Sequence, residues 1–345
     1  MVVDGIINTQ GRTLIHLSRT QSISSAKNPP AEIGASLSIL DINGNSYPFN
    51  PTQNPGIYSS DSLILNAGSY KLKITTSNGE IYQSDWVIPK NSPAIDSINW
   101  KNQNGVQIFV NTHDPISQTH YYRWQYVFTY EYHSQLVAAW GLSNGYIFPL
   151  PPLVQYNTCY PVVNSNKILV ANSLALKQDI ISQQLIASIP QNDSILDYRL
   201  SVQVIQYALN PQSYSYWNLI QNNSQSLGTL FDLQPSQLNG NIHCLSHPSE
   251  PVVGYLSAGT VSTARIFISH SSLPNWKSPP SDYNCLEKII STQPGNPYLY
   301  TYPDTSYAPY YFQSQGSSPP LLHIAKKTCL DCRVNGQTNV KPSFW

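Results

Sequence analysis

The sequence predicts an all-β protein built as two tandem β-sandwich domains. Three observations carry this. Charged residues make up only 10% of the 345-residue chain, while Tyr (24) and Pro (27) are abundant. That mixture suits pleated strands joined by many turns, and it starves long amphipathic helices of Glu, Lys, Leu and Ala. Short segments with period-2 alternation recur along the chain. Finally, Pro89-Lys-Asn-Ser-Pro93 breaks every strand pattern and reads as a linker between residues 1–90 and 94–345, each long enough for a core of its own.

The first unit opens its pattern at Ala35 to Leu40, where Leu37 and Ile39 share a face. Asp41 to Asn45 is turn chemistry with Gly44 available for positive φ. Gly56-Ile-Tyr58 follows, then Gly68 to Ile74, with Tyr70, Leu72 and Ile74 alternating inward. Thr76 to Gly79 closes a hairpin that Ile81 to Trp86 answers. This order fits a small sandwich of the transthyretin-like or carboxypeptidase-regulatory-like type, or an Ig-like one.

The second, larger unit begins with strands at Ala94 to Trp100 and Val106 to Val110. From Tyr121 to His133 the residues Tyr122, Trp124, Tyr126, Phe128, Tyr130 and Tyr132 fall on one face, with Arg123, Gln125, Val127, Thr129, Glu131 and His133 on the other. The aromatic face reads as sandwich core, with stacking on a flat ligand as the alternative. Ile168 to Ile189 fits a helix or two short strands equally well. Leu200 to Leu209 is a strand whose apolar pattern changes face, which predicts a bulge or burial on both sides. A helix follows near 210–222: Asn210 can cap it, Pro211 takes the first helical position, and Tyr214, Trp217 and Ile220 recur on one face. Val252 to Leu256 and Arg265 to Ile268 return as strands.

Net charge is zero and no basic run stands out, so nucleic acid is excluded as a partner. No apolar run reaches the ~18 residues a membrane-spanning helix needs. The residues after Met1 contain no export signal, and the expectation is that Met1 stands in place of a removed signal and anchor. The five cysteines, Cys159, Cys244, Cys285, Cys329 and Cys332, all lie in the second half. Two disulfides among Cys159, Cys285, Cys329 and Cys332 are expected, with three possible connectivities, stapling a long loop and the C-terminal tail to the sandwich. Cys244 is the candidate unpaired thiol. Such bridges favour an extracytoplasmic location.

Candidate chemistry is sparse. Cys329 and Cys332 have metal-ligand spacing, and His243, Cys244 and His247 cluster, but a structural zinc needs four ligands and no second Cys-x-x-Cys exists; no metal and no cofactor are expected. The motifs of serine hydrolases, zinc proteases, phosphate loops and dinucleotide folds are absent. Two carboxylates, for example Glu131 with Asp114 or with Asp232, could meet for sugar hydrolysis, but nothing in the spacing selects a pair, so the chain reads as non-catalytic. Arg123 reads as an internal ion-pair partner. Asn296 to Phe312 interleaves prolines with Tyr298, Tyr300, Tyr302, Tyr307, Tyr310 and Tyr311 and reads as a long surface loop that either binds a ligand or partner or packs over the sandwich. Asp61-Ser-Leu, Asp96-Ser-Ile and Asp193-Ser-Ile match a short bacterial O-glycosylation sequon, at a length that chance supplies often.

A set of motifs in order along the chain resembles one family. They are Val2-Val-Asp-Gly5, Gly34-Ala-Ser-Leu-Ser-Ile39, Gly56-Ile-Tyr58, Tyr122-Arg-Trp124 with Tyr130-Glu-Tyr132, Leu209-Asn-Pro-Gln-Ser-Tyr214-Ser-Tyr-Trp217, Gly228 to Pro235, Gly240-Asn-Ile242, Val253-Gly-Tyr255, Cys329-Leu-Asp-Cys332-Arg and Pro342-Ser-Phe-Trp345. The chain is thereby similar to the Bacteroidetes outer-membrane surface lipoproteins catalogued as domain of unknown function 4249. The resemblance implies tethering to the cell surface by acyl chains on a Cys preceding these residues. It also implies the company of a TonB-dependent, starch-uptake-like nutrient transporter or its surface lipoprotein, with the chain capturing or presenting a glycan or peptide. A surface hydrolase is the first alternative, and a structural component of an outer-membrane complex the second. The chain departs from the family pattern at Cys244 and in the long aromatic stretch 291–320.

Overall fold

The computed structural model describes all residues except 22–28, 152–155, 226–239, 278–284, 293–294 and 316–317. Strands hold 49% of the chain and helix 9%, so the fold is all-β. One continuous nine-stranded sheet wraps a first core. Its order runs Ile242–Cys244, Ile81–Ser84, Tyr70–Thr75, Ser36–Asp41, Ser46–Pro51, Ile57–Ser60, Leu14–Ser18, Val2–Asn8 and Ser257–Gly259. The expected alternation holds: Leu37, Ile39, Tyr70, Leu72 and Ile74 are all buried in this core.

The two edge strands of that sheet come from far along the chain. Ile242–Cys244 pairs antiparallel with Ile81–Ser84, and Ser257–Gly259 pairs parallel with Val2–Asn8. Ile242, Val252, Leu256 and Ala258 are buried in the first core with residues of 1–90. Residues 242–259, expected in the second unit, therefore complete the first, and Val252 to Leu256 makes one bridge, Val253 to Val2, rather than a strand. Close backbone approach is the physical reason. A Cβ on Gly254 would lie 2.1 Å from the Val3 carbonyl oxygen, and one on Gly259 2.1 Å from that of Lys90. Only glycine lets these chains meet. Asn241 fastens the excursion: its amide nitrogen donates to the Leu256 carbonyl (2.9 Å) and its oxygen accepts from the Leu256 amide (2.7 Å).

The second core lies between two sheets. One is Ile95–Asn102, Gly105–His113 and Ile180–Pro190; the other places Tyr121–Tyr130 and Arg199–Ala208 at its centre, flanked by Val261–Ser269 and by the short strands Val162–Asn164 and Leu169–Asn172. Ile168 to Ile189 is thus two strands. Tyr122 and Trp124 are fully buried and Phe128 nearly so, which makes the aromatic face core. The Trp124 indole donates to the Gln206 side chain (2.9 Å), whose own amide donates to the Pro93 carbonyl (2.9 Å), so the linker is bonded into the core.

The strand Arg199–Ala208 changes face without a bulge, because its pairing on both sides keeps continuous register. Leu200, Val202 and Val204 face the second core, while Tyr207 and Leu209 face a third cluster under the helix Pro211–Gln225. That helix starts as its sequence predicts: the Asn210 side chain accepts from the Ser213 amide at 2.7 Å. Among the described residues, no helix is long and apolar enough to cross a membrane.

The end of the chain builds a small third module. Lys288–Ser291, Ser318–Lys326 and Tyr307–Gln315 form a sheet in that order, over Leu322, Ile324, Tyr307 and Ile147. The stretch expected as one long loop, 296–312, is therefore a strand from Tyr307 onward. Pro309 disguised it, and it is tolerated because Tyr307–Gln315 is an edge strand whose pairing shifts register at Tyr310. Cys159–Cys332 and Cys285–Cys329 are disulfides, and Cys244 is free and buried. Of the three connectivities left open, the fold selects this one.

Candidate ligand-binding site

The hairpin Trp140–Ser143 and Tyr146–Pro149 turns through Asn144 (φ 50°) and Gly145 (φ 82°), the Asn-Gly pair that a two-residue hairpin loop demands. Leu142 and Ile147 pack into the third module, which fixes the hairpin against the edge strand. The Ala139 amide donates to the Tyr310 carbonyl at 2.9 Å and the Ile147 amide to the Tyr298 carbonyl at 2.8 Å. These bonds place three rings together. Trp140 lies 5.1 Å from Phe312 and 6.3 Å from Tyr298, and Tyr298 stacks on Phe312 at 5.8 Å with planes 8° apart. Tyr298 remains 46% exposed, so the stack opens to solvent.

Trp140 also enters the wall of a cleft of about 280 Å³, with Phe148, Tyr156, Pro309, Leu330 and Arg333 among the other walls. Its lining is mainly apolar with one fixed ion pair. Arg333 donates to both carboxylate oxygens of Asp331 (2.9 and 2.7 Å) and stacks over Tyr156 at 3.7 Å. The tail that carries Leu330 and Arg333 is held by both disulfides. An apolar cleft with few polar groups and an aromatic rim is the usual form of a small-ligand site.

The six tyrosines singled out from sequence separate into three pairs. Tyr300 and Tyr307 are structural: the Tyr300 hydroxyl donates to the Tyr307 carbonyl (3.1 Å), and burial pushes its pKa up to about 12. Tyr302 and Tyr310 are tied down. Lys288 donates to the Tyr302 hydroxyl at 2.8 Å, and Tyr310 donates to Glu287, with burial first and that carboxylate second raising its pKa to about 12. Tyr298 and Tyr311 are the exposed ones, at 46% and 49%. Tyr311 meets His323 edge-on at 5.1 Å, away from Trp140's stack. Sequence reasoning missed Trp140, Phe148, Tyr156 and Arg333; the Asn-Gly turn after Trp140 was the available signal.

Glu131 and Asp114, considered for catalysis, are occupied elsewhere. Glu131 follows the aromatic strand and contacts His133 (2.7 Å). Asp114 precedes that strand and caps a turn, so at about 3.3 Å per residue the ten residues Tyr121–Tyr130 hold the two carboxylates apart. Asp232 lies outside the described residues. His120 Nδ1 does reach Ser173 Oγ at 3.3 Å, but Ser173 is 1% exposed and its hydroxyl donates to Asp179, so it is not poised as a nucleophile. Of the sequon matches, Asp96 pairs with His113 and Asp193 caps a short helix.

The class these features define is a disulfide-stapled β-sandwich protein with an aromatic-rimmed cleft. The sequence profile of the family described as "Domain of unknown function (DUF4249)" matches residues 1–265, and the chain belongs to that family. The match spans the first core, the helix and most of the second core; the second core's Ile268, Leu273 and Trp276 and the cleft's Pro309, Leu330 and Arg333 lie beyond it. No curated protein matches the chain. Among solved structures it is similar to a DUF4785 family protein from Legionella pneumophila, at 12% identity and TM-score 0.21, covering 60% of this chain and 51% of that one.

Proposed function

We propose that this chain is a non-catalytic surface lipoprotein of the outer membrane that captures a glycan and presents it to a TonB-dependent transporter. The observation that carries the reading is the solvent-open stack of Trp140, Phe312 and Tyr298 beside the apolar cleft. Aromatic faces take the apolar faces of sugar rings and lose little side-chain entropy in doing so. The cleft's Arg333 and Asp331 are closed on each other, and Lys327 in the same lining adds a donor for a sugar hydroxyl. Engagement of Glu131 in a pair and of Asp114 in a cap supports binding over hydrolysis. Membrane anchoring and the transporter partner rest on the family resemblance.

A glycan array probed with the purified chain tests the ligand. Binding that falls about 10-fold or more in Trp140→Ala and in Tyr298→Ala, a loss of at least about 1.4 kcal/mol, is the expected result. Equal binding in both variants, or turnover of any bound glycan, would sink it. Co-purification of the lipidated form from outer membrane tests the partner: recovery without a TonB-dependent transporter counts against that part alone.

A further inference from the structure

The turn after the edge strand Ile242–Cys244 gathers groups that the proposed ligand site does not use. Cys244 stands opposite Tyr82 in register. Strand alternation sends Cys244 inward and His243 outward, where its Nε2 lies 3.1 Å from Asp85. The chain then folds back on itself. The His247 amide donates to Cys244 Sγ at 3.3 Å, and the Glu250 amide to the His247 carbonyl at 2.9 Å. Spaced three residues apart, Cys244, His247 and Glu250 bring their ligand atoms all within 4.8 Å of one another. The sequence cluster His243–Cys244–His247 is thus re-formed with Glu250 in place of His243.

We propose that Cys244, His247 and Glu250 form a zinc site whose fourth position is taken by water. A thiolate, an imidazole and a carboxylate suit zinc rather than calcium or magnesium, which prefer oxygen alone. Three protein ligands plus water is also the arrangement of zinc sites that keep an open position. Ligand atoms at about 2.0–2.3 Å from zinc sit roughly 3.3–3.7 Å apart. A contraction of about 1.5 Å is the most required from the 4.8 Å limit, and the His247 side chain, 62% exposed, has the freedom to supply it.

The surroundings favour a dication. Glu250 accepts from the Tyr82 hydroxyl (2.9 and 3.0 Å) and faces Arg19 (3.5 Å). Arg19 also pairs with Glu32 (2.6 Å) and Glu80 (3.3 Å). Three carboxylates therefore meet one guanidinium, and loss of the thiol proton to solvent on binding adds a further negative charge. Glu80 Oε1 lies 3.7 Å from His247 Nδ1, where an outer carboxylate fixes the ring of a metal-bound histidine. An ion here would lock the 244–250 turn onto the edge of the first sheet.

Cobalt is the probe, because a thiolate bound to Co2+ gives a near-ultraviolet charge-transfer band that zinc then displaces. Disulfide-intact protein, stripped with chelator, is titrated with Co2+ and back-titrated with Zn2+. The expected result is one equivalent with a thiolate band, abolished in Cys244→Ser. Affinity should fall about 10–100-fold or more in His247→Ala and stay unchanged in His243→Ala. No thiolate band in the wild type, or full affinity in His247→Ala, overturns the site. Cys244 is buried, so where Cys244→Ser fails to fold, Glu250→Gln and the exposed His247→Ala decide the question.

Discussion

The guanidinium carbon of Arg123 lies 3.6 Å from the ring centre of Trp217 and 6.0 Å from that of Tyr207. Its nearest carboxylate, Asp4, is 3.9 Å away, and its Nε has no hydrogen-bond partner. The side chain is 12% exposed. Sequence reading expected an ion-pair partner; the aromatic contact is the closer one. Burial lowers the Arg123 pKa and Asp4 only partly restores it. Three distant segments meet here: Asp4 from the first sheet, Arg123 from the aromatic strand and Trp217 from the helix.

Removing the ring should therefore cost more than removing the charge. Trp217→Ala is expected to destabilise by about 3–5 kcal/mol, because it opens a cavity and uncovers the guanidinium. Arg123→Met should be near neutral, since replacing a poorly paired buried charge by an apolar chain of similar length relieves its desolvation. Urea unfolding with an unchanged m-value measures both. A larger loss in Arg123→Met than in Trp217→Ala would show that the Asp4 pair, not the ring, holds the charge in place.

Gly254 is the second test. The Val3 amide donates to the Val253 carbonyl (2.8 Å) and the Val253 amide to the Met1 carbonyl (2.9 Å), so the two chains are clamped at the residue just before it. Gly254→Ala places a methyl 2.1 Å from a carbonyl oxygen at φ +147°. A loss of about 3 kcal/mol or more is expected, in the range of large single-site effects. Gly44→Ala is the control: φ is +90° and nothing lies within 4 Å, so only the left-handed strain of about 1–2 kcal/mol applies. Equal losses would mean that close approach at Gly254 is not what joins residues 242–259 to the first sheet.

These residues also mark where sequence reading stops. Tyr70, Leu72 and Ile74 alternate over enough positions to declare a strand, and Asn210 with Pro211 declares a helix start. Ile242–Cys244 and Ser257–Gly259 have three residues each, too few to show a period, and their partners lie far back along the chain, in Ile81–Ser84 and Val2–Asn8. Tyr307–Gln315 was hidden by Pro309 and by its shift of register. The aromatic site was half legible: Tyr298 was named, but Trp140 and Phe312 become its neighbours only through the fold.

The two disulfides should contribute unequally. Cys159–Cys332 closes a separation of 173 residues and Cys285–Cys329 one of 44. Chain-entropy reasoning gives about 2–5 kcal/mol for loss of a native bridge, and the longer loop should contribute about 1 kcal/mol more. Paired Cys→Ala variants, compared by urea unfolding, measure this. Limited proteolysis adds the location: without Cys159–Cys332, cleavage should begin within 320–345 while the aromatic strand stays protected. Cleavage starting in the first sheet would contradict a stapling role for the bridge.

Acid should act through Asp114. Its carboxylate accepts from the amides of Ile116 (3.1 Å), Gln118 (2.9 Å) and Thr119 (2.9 Å). Burial pushes its pKa up, but these donors outweigh burial and hold it below the ordinary 3.8. A carboxylate with a lowered folded-state pKa adds stability above its unfolded value and loses it as pH falls through the folded one. Hydrogen bonds to a charged acceptor are worth about 1.5–3 kcal/mol each, and Asn keeps part of them. Asp114→Asn should thus be about 1–3 kcal/mol less stable than wild type at pH 7, with the gap closing below about pH 4. His113 has the opposite sign. Its hydrogen bond to Asp96, and then that residue's charge, raise its pKa above 6.5, so its contribution is present below that value and fades as pH rises. His113→Gln should therefore lower stability below about pH 6.5 and leave the alkaline limb of the curve unchanged, whereas a gap between Asp114→Asn and wild type that stays constant from pH 7 to pH 2 would remove the charged cap as its cause.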